Sequence, residues 1–389
     1  MIEIRPASDR TDLRAFIDLP PRIYAGQPGF EPPLRLDRDM LLNPRRSAFW
    51  QHGQVQYWLA LRAGEVVGRI SAQIDTQLPV GIAEGAGMFG SLDAIDDAQV
   101  VQRLVGAAEE WLMARGCTSV FGPCTLDMND EPGLLVAGAD QPAMTLCPWH
   151  PPYLGQLLER CGYQPLRDLH NWRLQLKDQP PLSSMARRRL AERIPGLISR
   201  TPARGSYAQD IAILCDVYND GWRNHWGFIP LTPLDLDGLD VLMKWFVAPE
   251  AFRIIELDGK PVAVMLLIPN MFELIAGLSP SPGPLGWLRL AARALTHRFR
   301  SGRIIVVGLV ARLQDTVIGS AIAALMVDEL VASQAVLKGE WVEAGWVLEH
   351  NTALIQILER FGFQRNKTFR IYGKTFEAPP LLPNEETQP

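Results

Sequence analysis

The sequence lacks the signatures of a disulfide-bonded, metal-binding or secreted protein. Its five cysteines are an odd number without a CxxC pair, and its six histidines are scattered, so we expect free, mostly buried thiols and no metal. The first ten residues carry four charges, and no apolar stretch follows them. Because a secretory signal needs such a stretch, we expect a cytoplasmic protein.

Long apolar runs and an excess of positive charge are also missing. The most apolar segment, VAVMLLIP at 262–269, has the length of a strand, far short of the ~20 residues that a membrane-spanning helix needs. The 38 basic and 43 acidic residues give a net charge of −5, which argues against a nucleic-acid partner. With 389 residues, 47% of them hydrophobic, the chain has the size and composition of two folded domains.

Two halves of the chain repeat one order of predicted elements: strand, helices, hairpin, strand, helix, strand, helix, strand. Each half has a hairpin turn, at Ala63-Gly64 and at Asp258-Gly259. The halves end alike, in LLERCGYQPLRDLHNWRL and ILERFGFQRNKTFRIYGK. A repeat of this size predicts two α/β domains of the α+β kind, each a mixed sheet with flanking helices. The predicted divisions are a first domain at 1–178, a linker with a basic helix at 179–197, a second domain at 198–378 and a disordered tail at 379–389.

A candidate phosphate-binding turn lies between a strand and a helix of the second half, in GLVARLQDTVIGSAI. Amides at a helix start have no intrahelical partners, and with the helix dipole they hold a pyrophosphate. An ordinary helix start in which a small residue eases packing is the alternative. The predicted cradle consists of Gln314, Val317, Ile318, Gly319, Ser320 and Ala321. The first half has Asp93, Asp96 and Asp97 in this place; they would repel a phosphate or serve the helix dipole, so we expect no cofactor there.

These features resemble the GNAT acyltransferases. The superfamily's cofactor motif is matched by Gln314 and Gly319, while Val317 occupies the position of its first glycine. A second landmark is a helix ending like LYEKLGF, preceded by an Asn; here WVLEHNTALIQILERFGF supplies Asn351. Leu358 stands where many members have the tyrosine that protonates the leaving thiolate.

A narrower resemblance covers nearly the whole chain. Segments such as GPCTLDMNDEPGLLVAG, YNDGWRNHWGFIPLT and GWVLEHNTALIQILERFGFQRNKTFRIY are similar to a bacterial family of tandem GNAT proteins. Its members include bacterial ceramide synthases, which transfer a fatty acyl group from acyl-CoA to the amine of a sphingoid base. The resemblance implies two GNAT-like domains in tandem, acyl-CoA as co-substrate and a long-chain amine as acceptor.

N-acylation needs a held thioester, a base and donors for the oxyanion. The GNAT resemblance implies that backbone groups of Gly308, Leu309 and Val310 flank the thioester. The candidates for the base are Glu349, which ends a strand beside Asn351, and His225. Asn351 is assigned to both the catalytic group and the cofactor site. A carboxylate that merely turns outward and a packed aromatic corner are the respective alternatives.

Two further segments are candidates for substrate contacts. The residues predicted to bind the acceptor are Trp222, Trp226 and Phe228 around His225, and Asp127, Asn129 and Glu131 in a first-half loop. Such an acidic loop can bind an amine, or it can be a solvated turn. The segment 285–300 has the pattern of a basic amphipathic helix on an anionic membrane at the inner face of the cell envelope, or of a helix that covers the sheet.

Three hypotheses follow. The first is an acyl-CoA-dependent N-acyltransferase acting on a long-chain base. The second is a tandem GNAT peptidyltransferase that uses aminoacyl-tRNA, against which the acidic balance argues. The third is an inactive GNAT pair that binds acyl-CoA, which the departures from the GNAT pattern at Val317 and Leu358 favour.

Overall fold

The computed structural model describes residues 1–44, 48–176, 193–202, 207–236, 249–337 and 339–376. Most of the predicted linker and basic helix at 179–197 and all of the predicted tail at 379–389 lie outside these ranges. Within the described ranges, no helix combines the length and the hydropathy that a membrane crossing requires. All five cysteines are free, two of them buried and three partly buried.

The first half contains nine strands and four helices in its described part. Its strands are β1 (Ile2–Pro6), β2 (Gly53–Arg62), β3 (Glu65–Asp75), β4 (Ala86–Ala94), β5 (Ser119–Gly122), β6 (Cys124–Thr125), β7 (Glu131–Pro132), β8 (Leu134–Ala137) and β9 (Gln164–Gln175). Its helices are α1 (Arg10–Ile23), α2 (Arg35–Leu41), α3 (Ala98–Met113) and α4 (Tyr153–Arg160). Asp9 begins α1, because its carboxylate accepts the amide of Asp12 at 2.8 Å.

The second half repeats this order with six strands and five helices among its described residues. Its strands are β10 (Leu197–Arg200), β11 (Phe252–Leu257), β12 (Lys260–Pro269), β13 (Ser301–Leu309), β14 (Trp341–Leu348) and β15 (Gln364–Thr375). Its helices are α5 (Tyr207–Trp222), α6 (Phe272–Ile275), α7 (Pro284–Thr296), α8 (Val317–Leu337) and α9 (Thr352–Arg360). The apolar segment 262–269 is a buried strand, as predicted.

Both predicted hairpin turns form. Ala63 and Gly64 have φ values of 51° and 83°, and Asp258 and Gly259 have values of 52° and 74°. Two consecutive residues with positive φ are the mark of a type I′ turn, whose twist matches that of the flanking strands. The local sequence therefore fixes the β2–β3 and β11–β12 pairs.

The two halves share one sheet, in which their final strands are exchanged. The order is β1-β2-β3-β4-β5-β15-β9-β14-β13-β12-β11-β10. The last strand of the second half, β15, thus lies against β5 of the first, and β9 of the first half lies against β14 of the second. β9 and β15 pair with each other in the middle of the sheet. The exchange means that each half completes its sheet with the other's strand.

A buried ionic cluster marks this junction. Glu343 on β14 is fully buried and accepts hydrogen bonds from Arg173 on β9 at 2.8 Å and from Lys367 on β15 at 3.2 Å. Asn171 and Asn366 donate to the same carboxylate. Because burial of an unpaired charge is costly, the cluster favours this one arrangement of the three strands.

Candidate active site

A cleft opens where two parallel strands of the second half separate. β13 and β14 pair from Ser301 and Trp341 up to Ile304 and Ala344. Beyond that point β13 pairs only with β12, and β14 only with β9. A register shift in the β12–β13 pair leaves Ile305 as an extra residue on β13, and such a bulge bends its strand. The facing strand edges beyond the bulge are therefore available to a ligand.

A cavity of about 350 Å³ fills this cleft. Its walls come from both strands, from α5, α8 and α9, and from loops of the first half. The apolar wall residues include Ile304, Ile305, Val306 and Val307 on β13, Val347 and Leu348 on β14, Ala323, Met326, Val327 and Leu330 on α8, and Leu354, Ile357 and Leu358 on α9. The predicted thioester-flanking residues 308–310 lie just beyond these and are not among the wall residues. Leu358, at the position where many GNAT proteins have a tyrosine, faces this cavity.

The structure brings the predicted aromatic segment into the cavity wall. Trp222, His225, Trp226 and Phe228 all line it. The indole of Trp222 donates to the carbonyl oxygen of Val307 at 2.7 Å, so the segment is fastened to the cleft strand. The first half holds its other end through Val80, which exchanges two backbone hydrogen bonds with residues 227 and 228, at 2.8 and 3.0 Å.

His225 has the properties of a base. Its ring is partly buried and packs 4.7 Å from that of Trp222. Burial, together with the nearby His350, lowers the pKa of His225 below its ordinary value, although a hydrogen bond with the backbone of Trp222 acts to raise it. The imidazole is therefore neutral near pH 7 and can accept a proton.

A second wall of the cavity is acidic. Asn129 and Asp130 from the predicted first-half loop line the cavity, and so does Asp235 from the second half. Burial raises the pKa of Asp127 to about 6, with Asp235 adding to the rise, and burial beside Asp127 raises the pKa of Asp130 well above the usual carboxyl range. Since the charges of Asp127 and Asp235 help to raise the pKa of Asp130, a cation bound beside Asp130 would be favourable. Glu131, the third predicted residue of the loop, lies instead on another cavity in the first half, paired with Arg38 at 2.7 Å.

The other predicted catalytic residues lie outside the cavity wall. Glu349 is exposed at the end of β14, and its backbone amide donates to the carbonyl of Asp168. The burial expected beside Leu348 and Leu354 is absent, because the chain turns outward after Leu348. The side chain of Asn351 accepts the amide of Leu354 at 3.2 Å and so begins α9. These contacts give both residues a local structural use, and their catalytic roles stay predictions.

The predicted cradle lies at the start of α8, where part of it is used internally. The Gln314 amide group donates to the carbonyls of Gly221 and Leu309 at 2.8 and 3.0 Å. Gly319 donates its N–H to the Thr316 hydroxyl, and a Cβ at Gly319 would come within 2.0 Å of a backbone carbonyl, so the alternative reading as a packing glycine has a physical basis.

The exposed part of the cradle is the first turn of α8. Val317 and Ile318 are exposed, and because they are the first two helical residues, their amides have no intrahelical acceptor. Arg312 is exposed immediately before this turn. Two free amides, the positive end of a 21-residue helix and a nearby cation suit a pyrophosphate.

Comparison with known proteins decides the family. No protein-family model matches the chain. Protein YghO of Escherichia coli (strain K12) is 35% identical to it over 372 residues, which cover 95% of each chain. The bacterial ceramide synthase of Caulobacter vibrioides (strain NA1000 / CB15N) is 35% identical over 376 residues, which cover 96% of this chain and 97% of the relative. The chain belongs to the family of these two proteins.

Solved structures share the fold of this family member. A tandem GNAT protein from the clavulanic acid biosynthesis pathway matches with a TM-score of 0.56 and 13% identity, over 97% of this chain and all of the other. A GCN5-related N-acetyltransferase from Sphaerobacter thermophilus matches with a TM-score of 0.51 and 17% identity, over 97% and 96%. The predicted family, fold class and enzyme class are thereby confirmed. The chain is a tandem GNAT N-acyltransferase.

The first half of this acyltransferase uses its acidic turn for its own structure. The carboxylate of Asp97 accepts the amides of Gln99 and Val100 at 2.9 and 3.3 Å, which are the donors that a phosphate would need. Hydrogen bonding to Arg62 lowers the pKa of Asp97. Asp93 is buried and paired with Arg69. The absence of a cofactor from this half stays a prediction that these contacts favour.

Several cavity residues escaped the sequence analysis. They are Tyr218 on α5, Asp235, Trp346, the buried Arg303 and the β13 residues 304–307. Asp130 also lines the cavity, and its place there could be expected from the sequence because it lies inside the predicted acidic loop. The sequence gives no comparable indication for the other residues. No group of three or more His, Cys, Asp or Glu side chains placed to hold a metal ion occurs in the part of the chain that the structure describes.

Proposed function

We propose that this protein transfers a fatty acyl group from acyl-CoA to the amine of a long-chain, sphingoid-type base. The observation that carries the proposal is the composition of one cavity. Its cleft wall is apolar, and its other walls include His225, Asp130 and Asp235. The name of the 35%-identical Caulobacter relative, bacterial ceramide synthase, points to the same substrates.

The acidic wall suits an ammonium group. An amine arrives protonated, and a carboxyl such as Asp130, whose pKa is raised by burial and by the charge of Asp127, gains most from a cation. The amine must then lose a proton before it attacks a carbonyl carbon, and the neutral imidazole of His225 is the described group of this wall suited to accept it. Asp130 and Asp235 would therefore bind and orient the acceptor, and His225 would deprotonate it.

The apolar walls suit the hydrocarbon parts of the substrates. α8 and α9 line the cavity with methionine, leucine and isoleucine side chains, among them Met326, Leu330 and Ile357. An alkyl chain gains about 0.8 kcal/mol for each methylene that leaves water. A site built for acetyl transfer to a small polar amine would not need such walls.

Acyl-CoA, when bound, supplies the activated carbonyl. The amides of Val317 and Ile318 and the guanidinium of Arg312 would hold its phosphates at the start of α8, and the free edge of β13 would hold its thioester arm. Since Leu358 offers no proton to a leaving thiolate, another donor is needed. The phenol of Tyr218 lines the cavity, and burial raises the pKa of Tyr218 to about 12, so it keeps its proton throughout the working pH range.

We also propose a peripheral contact with the inner, anionic face of the membrane through the segment 285–300, consistent with a cytoplasmic location. Helix α7 within this segment has no buried residue, which disfavours the alternative of a helix that covers the sheet. A long-chain base partitions into lipid, so a membrane-bound enzyme would meet its acceptor there.

The test is acyl transfer by the purified full-length chain. With palmitoyl-CoA and sphinganine we expect release of free CoA, measured with a thiol reagent, and formation of the N-acyl product, measured by mass spectrometry. Palmitoyl-CoA alone controls for hydrolysis, and His225→Gln controls for contaminating activity. Tight acyl-CoA binding without product for any amine would refute the proposal in favour of an inactive pair, and a labelled aminoacyl-tRNA as accepted donor would favour the peptidyltransferase.

A further inference from the structure

Two helices of the molecule, one in each half, carry exposed apolar side chains and bury none. On α7, Leu285, Leu288 and Leu295 are 81%, 67% and 83% exposed, and Trp287 is exposed as well. On α2, Leu36 and Met40 are 54% and 42% exposed, and this helix too has no buried residue. Single exposed leucines are ordinary, but two helices without a core-facing side mark an interaction surface.

The two helices start side by side although about 250 residues separate them in sequence. The amide of Arg35, the first residue of α2, donates to the carbonyl of Pro280 at 2.8 Å, just before α7 begins. The amide of Gly277 donates to the carboxylate of Glu31 at 3.1 Å. These bonds join the approach to α2 with the approach to α7, which places the first turn of α2 beside the segment that leads into α7.

The charge of this surface is basic around α7. Between Leu274 and Arg300 the chain has four arginines and no acidic residue, although the net charge of the protein is −5. Arg289 and Arg298 are exposed, while Arg293 donates to the carbonyls of residues 274 and 276. Exposed leucines flanked by arginines match the boundary between acyl chains and anionic headgroups.

We propose that α2 and α7 together form one docking surface for an anionic lipid bilayer, so that both halves of the protein face the membrane. The inference rests on the proposed lipid substrates and deepens them, because it names the N-terminal half as part of the membrane contact. α2 contributes apolar contact rather than favourable charge: Leu36 and Met40 lie one turn apart on its exposed side, and the carboxylates of Asp37 and Asp39 are exposed beside them. An anionic surface repels the carboxylate of Asp39, so removal of this charge should increase membrane binding if the proposal is right.

The experiment measures co-sedimentation of the full-length protein with vesicles of phosphatidylcholine, with or without phosphatidylglycerol. The wild type is expected to bind the anionic vesicles and to lose binding as salt rises. Leu36→Asp with Met40→Asp should weaken binding about tenfold or more, as Leu285→Asp with Leu288→Asp should, because a charge replaces an inserted apolar group. Asp39→Asn should strengthen binding about fivefold.

Matched controls exist on α3, whose buried residues pack on the opposite face of the sheet from those of α1. Met113→Asp introduces a charge at an exposed methionine, and Glu110→Gln removes a charge as Asp39→Asn does; neither should alter vesicle binding. Thermal unfolding checks that each variant is folded. This check is also needed for Asp39→Asn, because misfolding exposes core side chains and by itself increases vesicle binding.

The outcomes separate the two proposals. If the α2 variants bind as the α3 controls do while the α7 variants lose binding, the shared surface is wrong and α7 alone contacts lipid. If the wild type binds no vesicle, no membrane surface exists here. Acyl transfer to a short-chain amine in solution is measured in parallel; activity there together with no vesicle binding would refute this inference and leave the proposed acyltransferase intact.

Discussion

Replacement of His225 tests the chemistry of the cavity most directly. Glutamine keeps a polar side chain of similar length but cannot take the proton of an ammonium. A general base contributes about 10²- to 10⁴-fold to a rate, or roughly 2.7–5.5 kcal/mol of activation free energy at 1.36 kcal/mol for each factor of ten. We therefore expect His225→Gln to lower kcat by at least a hundredfold and to leave the dissociation constant of acyl-CoA unchanged.

The pH dependence supplies an independent readout of His225. Only the neutral imidazole accepts a proton, so kcat of the wild type should fall as the pH drops through the pKa of His225, which burial places below its ordinary value. His350→Gln removes a nearby positive charge, so it should raise this pKa and move the acid limb to higher pH. Burial raises the pKa of Asp127 to about 6, so protonation of this carboxyl at low pH would weaken amine binding in the same pH range. For this reason kcat is measured at a saturating concentration of acceptor, at which weaker amine binding does not lower the rate.

Two results would refute this reasoning. One is a His225→Gln enzyme with more than a tenth of the wild-type kcat; the other is an acid limb that persists unchanged in that variant. Either result would move the role of base elsewhere, and Glu349→Gln, which changes an exposed carboxylate at the end of β14, is the variant to measure beside it. If His225 is the base, Glu349→Gln should keep nearly full activity.

Three further predictions concern binding and stability. Asp130→Asn should raise the KM of a long-chain amine about tenfold and leave that of acyl-CoA unchanged, since a hydrogen bond to a charged group contributes about 1.5–3 kcal/mol; steady-state kinetics with each substrate varied checks this. Gly319→Ala should cost about 1–3 kcal/mol of stability, because its Cβ would lie 2.0 Å from a carbonyl oxygen. Val317→Asp, at an 88% exposed site, should instead keep the melting temperature and weaken acyl-CoA binding, which calorimetry measures. Glu343→Gln should cost about 3–5 kcal/mol in denaturant unfolding, because it leaves Lys367 buried without a carboxylate. The charge of Lys367 lowers the pKa of Glu343, although burial acts to raise it. The loss of stability in Glu343→Gln should therefore be largest above the ordinary glutamate pKa and should shrink as the pH falls through the lowered pKa of Glu343.

The sequence predicted those helices, strands and turns whose formation depends on residues close together in the chain. The two hairpins follow from residues that tolerate positive φ, and α3 follows from apolar periodicity next to a strand. The cradle position was predicted as the start of α8, because amides without intrahelical partners are a property of any helix start. What the sequence could not tell was that Gln314 and Gly319 would use their polar groups within the protein, since their acceptors lie in α5 and in the preceding turn.

The pairing of strands that are distant in the sequence could not be predicted from the sequence. β9 and β15 end their halves with similar patterns, so the sequence does not distinguish a strand that returns to its own half from one that crosses to the other. The buried charges of Lys367 and Glu343 appear in the sequence as ordinary alternating strand residues. Likewise Asp130 and Asp235, from different halves, meet at one cavity only because of the shared sheet. The burial that distinguishes His225 from the exposed Glu349 is likewise a property of the tertiary structure, and both remain predicted candidates for the base.

The exchange of strands explains why a half without an exposed phosphate cradle is part of an acyltransferase. Beyond Ala344 the far side of the cleft, β14, is held only by β9 of the first half. The first half also supplies Met128, Asp130 and Leu146 to the cavity wall, and Val80 to the segment that carries His225. Without these contacts β14 would have a free edge and the cavity would open to water, so the burial that lowers the pKa of His225 would be lost. We therefore infer that the first half shapes the proposed active site and keeps water out of it.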